Sequence, residues 1–210
     1  MLFRNLFYFI VKNSSRIFHT IYNRLEVRGR GNIPDAPVIV ASNHASNIDP
    51  PLIGGVYPRR LRYLAKASLF RNPLLGFCIR NLGAIPVTRE DSQRAGAVMK
   101  LLLERLNNGE SILVFPEGSR SRDGKLQPLE GGAAFLSVKS GVPVLPVYIS
   151  GSFDVWPPEH SLPRPAKLVV TFAPLIEPSG EGSDRERRDA VTRALDESLR
   201  AMEREAKGHH

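Results

Sequence analysis

Cysteine is scarce in this sequence, which contains only Cys78 among its 210 residues. One cysteine cannot form an internal disulfide, and no cluster of cysteines and histidines has the spacing of a zinc site. Scarce cysteine also favours the cytosol, or the cytosolic side of a membrane, as the compartment. We therefore predict a fold without a disulfide or a metal ion, in a chain long enough to bury its own core.

Long apolar runs are lacking in the N-terminal stretch. Its longest run, residues 6–11, is far shorter than the roughly 20 residues of a membrane-spanning helix. No small-residue cleavage site follows it, so the stretch does not have the pattern of a signal peptide. Its apolar residues instead recur at helical spacing, at Phe3, Leu6, Phe7, Ile10, Ile17, Phe18 and Ile21.

Cationic side chains flank this apolar stripe, at Arg4, Lys12, Arg16 and Arg24. An apolar face with cationic flanks is typical of helices that lie in a membrane interface. We predict such membrane-anchoring helices over residues 1–23, as two short helices broken near residues 13–15. The alternative is that the apolar face packs on the protein's own core.

Positive charge is in excess, with a net charge of +8 and an isoelectric point near 10.0. The excess indicates an anionic partner, such as nucleic acid, anionic lipid or a phosphorylated substrate. Basic and aromatic residues interleave only at the N-terminus, where helical spacing favours a lipid surface over nucleic acid. We therefore expect membrane lipids, and no nucleic acid, as partners.

From residue 24 onward, short apolar runs alternate with helical patterns. Strands are predicted over residues 37–42, 111–115, 144–149 and 167–172, with further candidates at 62–66 and 84–87, and helices over residues 94–106 and 132–139. A capping box at Ser183 and Glu186 opens a last helix that runs to about Lys207. This alternation predicts an α/β domain over residues 24–207, with a mixed, largely parallel sheet flanked by helices.

A histidine and an aspartate, His44 and Asp49, follow the first predicted strand of this domain. On a continuous helix their side chains would diverge, because five residues correspond to a rotation of about 140°. Pro50 and Pro51 suggest instead that Asp49 caps a helix and that His44 lies in the turn before it. The pair then resembles a base and its orienting carboxylate. The alternative is a capping aspartate beside a solvated histidine.

A second polar turn, residues 115–122, follows another predicted strand and contains Arg120 and Arg122. Guanidinium groups bind phosphate oxygens through two hydrogen bonds. Ser119 and Ser121 are candidate nucleophiles, but neither has the glycine surround of a hydrolase nucleophile. The alternative interpretation is a surface turn with an ion pair between Glu117 and Arg120.

Further cations lie between these two turns, at Lys66 and at Arg89, which ends the segment of residues 83–89. A base together with separate cations fits a reaction at a hydroxyl beside a phosphate. The cations bind the phosphate, and the base removes the hydroxyl proton as the hydroxyl attacks an activated carbonyl. No covalent enzyme intermediate is then required. Four more arginines could meet anionic lipid, coenzyme A or an acidic carrier protein, although a solvated surface explains them equally well: Arg59, Arg60, Arg62 and Arg71.

Taken in order, four blocks resemble those of glycerolipid acyltransferases, and most of all the 1-acyl-glycerol-3-phosphate acyltransferase family. The blocks are residues 43–49, residues 83–89, residues 115–121 and residues 142–147. The resemblance extends from about Arg24 to Pro178. It implies an acyltransferase domain with N-terminal membrane-docking helices, at the cytoplasmic face of the cell membrane.

The resemblance also implies roles for single residues. His44 is the implied general base and Asp49 its partner, in transfer of an acyl group to the sn-2 hydroxyl. The implied substrate-binding residues are Lys66, Arg89, Glu117, Gly118 and Arg120. Acyl-coenzyme A or acyl-carrier protein is the implied donor, and no cofactor is needed. The fourth block is implied to be structural and to contribute to the acyl pocket.

Two departures from the family's pattern concern the acceptor. Pro86 stands where the second block often has an aromatic residue, and Glu130 stands near a position that is often lysine. A carboxylate there lowers the expected affinity for phosphate. Glycerol 3-phosphate, lyso-ornithine lipid and glycolipid therefore stay as alternative acceptors, and a peripheral membrane protein without activity is the alternative of another class.

Overall fold

The computed structural model describes residues 2–88, 92–157, 160, 162–178 and 180–208. Within them the helices and strands, in chain order, are α1 (Leu2–Tyr22), β1 (Glu26–Arg28), β2 (Ile39–Ser42), α2 (Asp49–Val56), β3 (Leu61–Lys66), α3 (Pro73–Asn81), β4 (Ala84–Val87), α4 (Ser92–Asn107), β5 (Ser111–Val114), α5 (Gly132–Ser140), β6 (Val144–Ser150), α6 (Ser152–Val155), β7 (Val169–Phe172) and α7 (Asp184–Lys207).

The seven strands form one sheet in the order β1-β7-β6-β2-β5-β3-β4. Strands β6, β2, β5, β3 and β4 run parallel to one another, while β7 is antiparallel to β6 and parallel to β1. The predicted mixed, largely parallel sheet is therefore confirmed. Because five strands run in one direction, their carboxyl ends lie along the same edge of the sheet.

Helices cover both faces of the sheet, and the central strands β2, β5 and β6 are accordingly mostly apolar. In β2, Ile39 and Ala41 belong to the core that includes α4, α5 and α7, as does Leu199 of α7. Val40 faces the opposite core, which includes Leu52 and other residues of α2. Because side chains of the central strands are buried on both faces, groups that contact a ligand must lie in the loops beyond the strand ends. The loops at the carboxyl edge are such a place.

Helix α1 is continuous from Leu2 to Tyr22, so the prediction of two short helices was wrong. The polar residues that suggested a break are accommodated within one helix. The Asn13 amide donates to the carbonyl oxygen of Phe9, four residues earlier, and Ser15 Oγ donates to the carbonyl oxygen of Pro51 in α2. The side of α1 that faces α2 therefore includes the polar residues Lys12 and Ser15 beside the apolar Val11.

The opposite side of α1 exposes large apolar side chains, including those of Leu6, Ile10, Ile17 and Ile21. Ile21 is 76% exposed. Surface helices of globular proteins ordinarily show the reverse arrangement, with the apolar stripe turned to the core. Among the described residues, no helix combines the length and the apolar character that crossing a membrane requires.

Strand β1 and helix α3 were not predicted. Strand β1 has only three residues, two of them charged, and is defined by its pairing with β7. Helix α3 begins with Pro73 after Asn72, whose side chain accepts the N–H of Leu75. This is an ordinary helix start, but the apolar residues that follow do not form a stripe turned to the core. Both elements depend on contacts distant in sequence.

Candidate active site

Three of the predicted site segments lie along the carboxyl edge of the sheet. His44 follows β2, the turn of residues 115–121 follows β5, and Lys66 is the last residue of β3. Strands β2, β5 and β3 are adjacent in that order. The fold therefore brings the first and third blocks into contact. Arg89 of the second block lies outside the described residues.

The His44 imidazole is hydrogen-bonded to the Asp49 carboxylate, with 2.8 Å between Nδ1 and Oδ2. His44 lies in the turn between β2 and α2, as predicted, and its side chain is 15% exposed. Asp49 differs from the prediction in one respect, because it is the first residue of α2 rather than its cap. Its carboxylate turns back toward the preceding turn and not toward the helix.

The Asp49 carboxylate is fully buried and oriented by the turn itself. Its Oδ2 also accepts the backbone N–H groups of Ala45 at 2.8 Å and Ser46 at 2.7 Å. Together with the imidazole, these two donors hold Oδ2 in a fixed position within the turn. A negative charge beside Nδ1 favours a proton on that nitrogen and stabilises the imidazolium when it forms. Nε2 is then the nitrogen left to exchange a proton with substrate.

The turn after β5 holds His44 by its backbone and by its ring. Glu117 Oε1 accepts the N–H of His44 at 2.7 Å, and the N–H of Ser121 donates to the carbonyl oxygen of His44 at 2.7 Å. The Phe115 ring stacks on the imidazole, with centroids 4.0 Å apart and an interplanar angle of 19°. The third block therefore positions the histidine of the first.

Glu117 is buried and acts as a link between loops. Its second oxygen, Oε2, accepts the N–H of Gln127 at 2.7 Å. Burial raises the pKa of the Glu117 carboxyl, although the N–H groups of Gln127 and His44 act in the opposite direction. The Glu117–Arg120 ion pair offered as the alternative interpretation is wrong, since both Glu117 oxygens accept backbone N–H groups.

Arg120 is exposed and donates to the side-chain oxygen of Asn47 at 2.8 Å. Asn47 lies within the His44–Asp49 turn, so the guanidinium is held beside the first block. Of the two serines in this turn, Ser121 is poorly suited as a nucleophile, because it is buried and its hydroxyl donates to Asp123.

Gly118 adopts a left-handed backbone conformation with φ of 68°, which favours glycine. A Cβ atom there would also approach the Glu130 carboxylate, with 2.4 Å to its Oε1. The backbone N–H of Glu130 donates to the carbonyl oxygen of Pro116. The loop that contains Glu130 therefore folds against the third block, which brings a negative charge close to it.

The remaining residues of the first and fourth blocks connect strands. The Asn43 amide accepts the N–H of Ile149 at 2.7 Å and donates to its carbonyl oxygen at 3.0 Å, which ties the turn to β6. The fourth block forms most of β6, which pairs with β2 from Val144 to Val147. Ser46 Oγ donates to the carbonyl oxygen of Trp156, so the proline-rich loop is fastened to the same turn.

Lys66 is exposed, two strands away from β2. A spacing of about 4.8 Å per strand places it roughly 10 Å from the His44 strand, a span that a lipid headgroup can bridge. Two arginines at the opposite end of β3 from Lys66 are engaged elsewhere. Arg59 donates to the carbonyl oxygens of Pro34 and Ala36, and Arg62 forms an ion pair with Glu110.

The contact of Asn47 with Arg120 was not predicted, and Glu117 was assigned to the substrate or to an ion pair with Arg120 rather than to the backbone of His44. The signal for Asn47 was its place between His44 and Asp49, in a turn rather than a helix. The signal for Glu117 was weaker, because a buried glutamate that accepts two backbone N–H groups from loops 73 and 10 residues away in sequence is defined only by the tertiary fold.

Comparisons with known proteins point to one family. The family model described as Acyltransferase matches residues 24–150. A 1-acyl-sn-glycerol-3-phosphate acyltransferase of Pseudomonas aeruginosa is 30% identical over 187 residues, covering 86% of this chain and 72% of that protein. A lyso-ornithine lipid O-acyltransferase of the same organism is 34% identical over 125 residues, covering 60% of this chain and 47% of that protein.

The crystal structure of a 1-acyl-sn-glycerophosphate acyltransferase from Thermotoga maritima has the same fold. It superposes with a TM-score of 0.79 at 32% identity, covering 95% of this chain and 81% of that one. The chain spans about half the length of chloroplast relatives from Brassica napus and Arabidopsis thaliana, 45% and 55% respectively. From the family match and these relatives, we conclude that the chain belongs to the acyltransferase family.

Proposed function

We propose that this protein transfers a fatty acyl group from a thioester to the free sn-2 hydroxyl of 1-acyl-glycerol-3-phosphate, giving phosphatidic acid. The observation that carries the proposal is the His44–Asp49 hydrogen bond of 2.8 Å at the accessible edge of the sheet. Relatives named as 1-acyl-sn-glycerol-3-phosphate acyltransferases support the choice of acceptor.

In the proposed reaction, His44 Nε2 removes the proton of the acceptor hydroxyl, and the hydroxyl oxygen attacks the thioester carbonyl carbon at the same time. The bond from carbon to sulfur breaks as the ester forms, and the sulfur leaves with the proton from the imidazolium. The buried Asp49 carboxylate stabilises that imidazolium through Nδ1. Neither serine of the third block is needed, so the acyl group passes directly to the acceptor.

The acceptor phosphate is proposed to bind Arg120, whose guanidinium is exposed and held beside the His44 turn by Asn47. Lys66, the last residue of β3, and Arg89 are proposed as further phosphate ligands. Gly118 is proposed to let the acceptor approach the third block closely. The structure of that block supports a different role for Glu117, which holds the backbone of His44.

We place the enzyme at the cytoplasmic face of the cell membrane, attached through the exposed apolar side of α1. That side includes Ile17 and Ile21, and the helix also carries Lys12 and Arg16. Apolar residues with cations nearby suit the surface of an anionic bilayer. Acyl-coenzyme A or acyl-carrier protein is the proposed donor, and no cofactor takes part.

The test is incubation of the purified protein with an acyl thioester and a panel of lyso-acceptors, followed by mass spectrometry of the lipid products. The expected product is phosphatidic acid, with release of free thiol that depends on added lysophosphatidic acid. Thiol release without dependence on any acceptor, or acylation of none of them, would contradict the proposal.

One observation favours a second acceptor. The Glu130 carboxylate lies against Gly118, beside the proposed phosphate site, where a negative charge suits a headgroup with an amine better than a phosphate. Lyso-ornithine lipid has such a headgroup, and a lyso-ornithine lipid O-acyltransferase is among the relatives. Under this candidate, Glu130→Lys lowers acylation of lyso-ornithine lipid, and Glu197→Lys on the exposed side of α7 does not.

A further inference from the structure

Outside α1, the large exposed apolar side chains of the described residues concentrate in one short segment. It comprises the 3-10 turn Ala67–Arg71 and helix α3, which we call the 67–81 segment. Its exposed apolar residues are Leu69, Leu74, Leu75 and Phe77. Exposed residues of this kind are unremarkable when scattered, but a cluster marks an interaction surface.

This cluster is continuous with the apolar side of α1. The rings of Phe7 in α1 and Phe77 in α3 meet edge to face, with centroids 5.5 Å apart. The turn and the helix also form one rigid unit, since a Cβ atom at the buried Gly76 would lie 2.8 Å from the carbonyl oxygen of Phe70. Two helices distant in sequence therefore contribute to one apolar surface.

The charges of the surrounding chain have one sign. Residues 50–88 contain Arg59, Arg60, Arg62, Lys66, Arg71 and Arg80, and no aspartate or glutamate. Residues 1–25 likewise contain four cations and no acidic residue, although the whole chain has 21 acidic residues. Arg71 and Arg80, at either end of the exposed cluster, are themselves exposed. The apolar cluster therefore lies in a stretch of sequence that has cations and no carboxylates. Such a surface complements a partner that is both anionic and apolar.

We propose that the 67–81 segment is a second membrane-contacting element, which inserts Leu74 and its apolar neighbours into an anionic bilayer beside α1. A second copy of this chain fits the surface less well, because a twofold contact would bring Arg71 and Arg80 against the same cations of the partner. The inference deepens the proposed docking of α1 and rests on it for the identity of the partner.

A two-point contact sets the orientation of the enzyme on the membrane. The 67–81 segment begins directly after Lys66, at the same edge of the sheet as His44. The apolar stripe of α1 already limits rotation about the α1 axis, and insertion of α3 beside it restricts that rotation further. The carboxyl edge then lies close to the headgroups, where the acceptor hydroxyl of a membrane lipid is found.

The test measures immersion depth at three sites in the full-length protein. Cys78 is replaced by alanine, and one cysteine is introduced at Leu74, Ile17 or Leu162 and labelled with a nitroxide. Leu162 is the matched control, since it is 76% exposed against 75% for Leu74 and lies outside the cluster. The labelled protein is bound to vesicles of phosphatidylglycerol and phosphatidylcholine in equal parts. Immersion depth is then measured from the collisions of the nitroxide with oxygen, which enters the bilayer, and with a nickel complex, which stays in water.

The inference predicts that the labels at positions 74 and 17 are both immersed and that the label at 162 stays in water. Immersion at 17 alone overturns this inference and leaves the proposed docking of α1 intact. Immersion at neither position contradicts both. A control raises the protein concentration without vesicles. If the label at 74 becomes immobilised there, a second copy covers the surface, which also overturns the inference.

A second measurement avoids labels and the loss of Cys78. Leu74→Glu is expected to weaken binding to the same vesicles at least about tenfold, whereas Leu162→Glu changes it less than about twofold. Both variants should acylate a short-chain, water-soluble acceptor at the wild-type rate. Equal loss of vesicle binding in the two variants would overturn a contact specific to α3.

Discussion

The turn after β2 and the turn after β5 lie side by side at the carboxyl edge, but they differ in burial. In the first turn, Asn43 and Asp49 are buried, the His44 imidazole between them is partly exposed, and Asn47 is exposed. In the second, residues 118–120 are exposed while Glu117 is buried beneath them. Two adjacent turns thus present an enclosed histidine and an open arginine.

This difference suggests a division of labour. A buried carboxylate orients a base most strictly, since water does not compete for its hydrogen bonds. An exposed guanidinium is free to exchange water for a substrate anion. Substitutions around His44 should therefore lower kcat, and substitutions around Arg120 should raise the acceptor KM. Glu117 belongs to the second turn but accepts the N–H of His44 in the first. Its substitution should therefore lower kcat, as substitutions around His44 do.

Asp49→Asn should have the largest effect of the four substitutions considered next. The amide removes the charge that stabilises the imidazolium and disturbs the tautomer of His44, so kcat should fall about 10²- to 10⁴-fold. Steady-state kinetics with saturating acceptor measure this effect. Asp154→Asn, at an exposed aspartate of α6, is the matched control. A wild-type kcat in Asp49→Asn would contradict the role of the pair.

Glu117→Gln should lower kcat about 10- to 10²-fold, because misplacement of a catalytic group has effects of this size. Both oxygens of Glu117 accept a backbone N–H, and an amide offers only one acceptor. The lost hydrogen bond should also lower the free energy of unfolding by about 1–3 kcal/mol. Urea titrations check the second effect. A raised acceptor KM with unchanged kcat would instead assign Glu117 to the substrate.

The pH dependence of stability gives a separate check on Glu117. Burial raises the pKa of this carboxyl, so the folded protein holds its proton more tightly than the unfolded chain. The stabilisation from this group is complete below 4.5, the ordinary value, and is lost as pH rises through the raised pKa. The stability difference between wild type and Glu117→Gln should therefore shrink as pH rises from 4.5.

Arg120→Ala should raise the acceptor KM about 10- to 150-fold, which corresponds to a lost charged hydrogen bond of about 1.5–3 kcal/mol. The kcat value should change little, since the guanidinium does not contact His44 through any hydrogen bond among the described residues. Arg122→Ala removes an exposed cation two residues away and should leave KM unchanged. A fall in kcat without a change in KM would erase the distinction between the two turns.

Asn47→Ala should have the smallest effect, raising the acceptor KM about 2- to 10-fold, because it removes one neutral acceptor from Arg120. The change should disappear in an Arg120→Ala background, since Asn47 acts through that side chain. A double-mutant cycle on KM measures this coupling. Additive effects would show that Asn47 contacts the acceptor independently.

The helices show how far periodicity alone predicts the fold. Helices α1 and α7 both have an apolar stripe at helical spacing, and both were predicted as helical. In α7, Val191, Leu195 and Leu199 are buried, whereas in α1 Ile17 and Ile21 are exposed. Spacing determines which residues share a face, but the surface that the face meets depends on the rest of the chain. Strand β1 and helix α3 had no such pattern and were missed.

The site was predictable to a similar extent. The turn position of His44 followed from Pro50 and Pro51, which begin a helix and leave the histidine outside it. The contacts of Glu117 with His44 and Gln127 could not be predicted, because they join segments that meet only once β2 and β5 pair. Local sequence therefore predicted the position of the proposed base, and the tertiary fold shows what holds it.

The most direct test of the account is release of thiol from an acyl thioester by His44→Ala in the presence of lysophosphatidic acid. His160→Ala serves as the matched control, because it removes an exposed imidazole from a residue that is hydrogen-bonded to Trp156 and Pro157 through its backbone. The account predicts that release falls to the rate without acceptor in His44→Ala and stays at the wild-type rate in His160→Ala. Acceptor-dependent release that persists in folded His44→Ala would contradict its assignment as the general base.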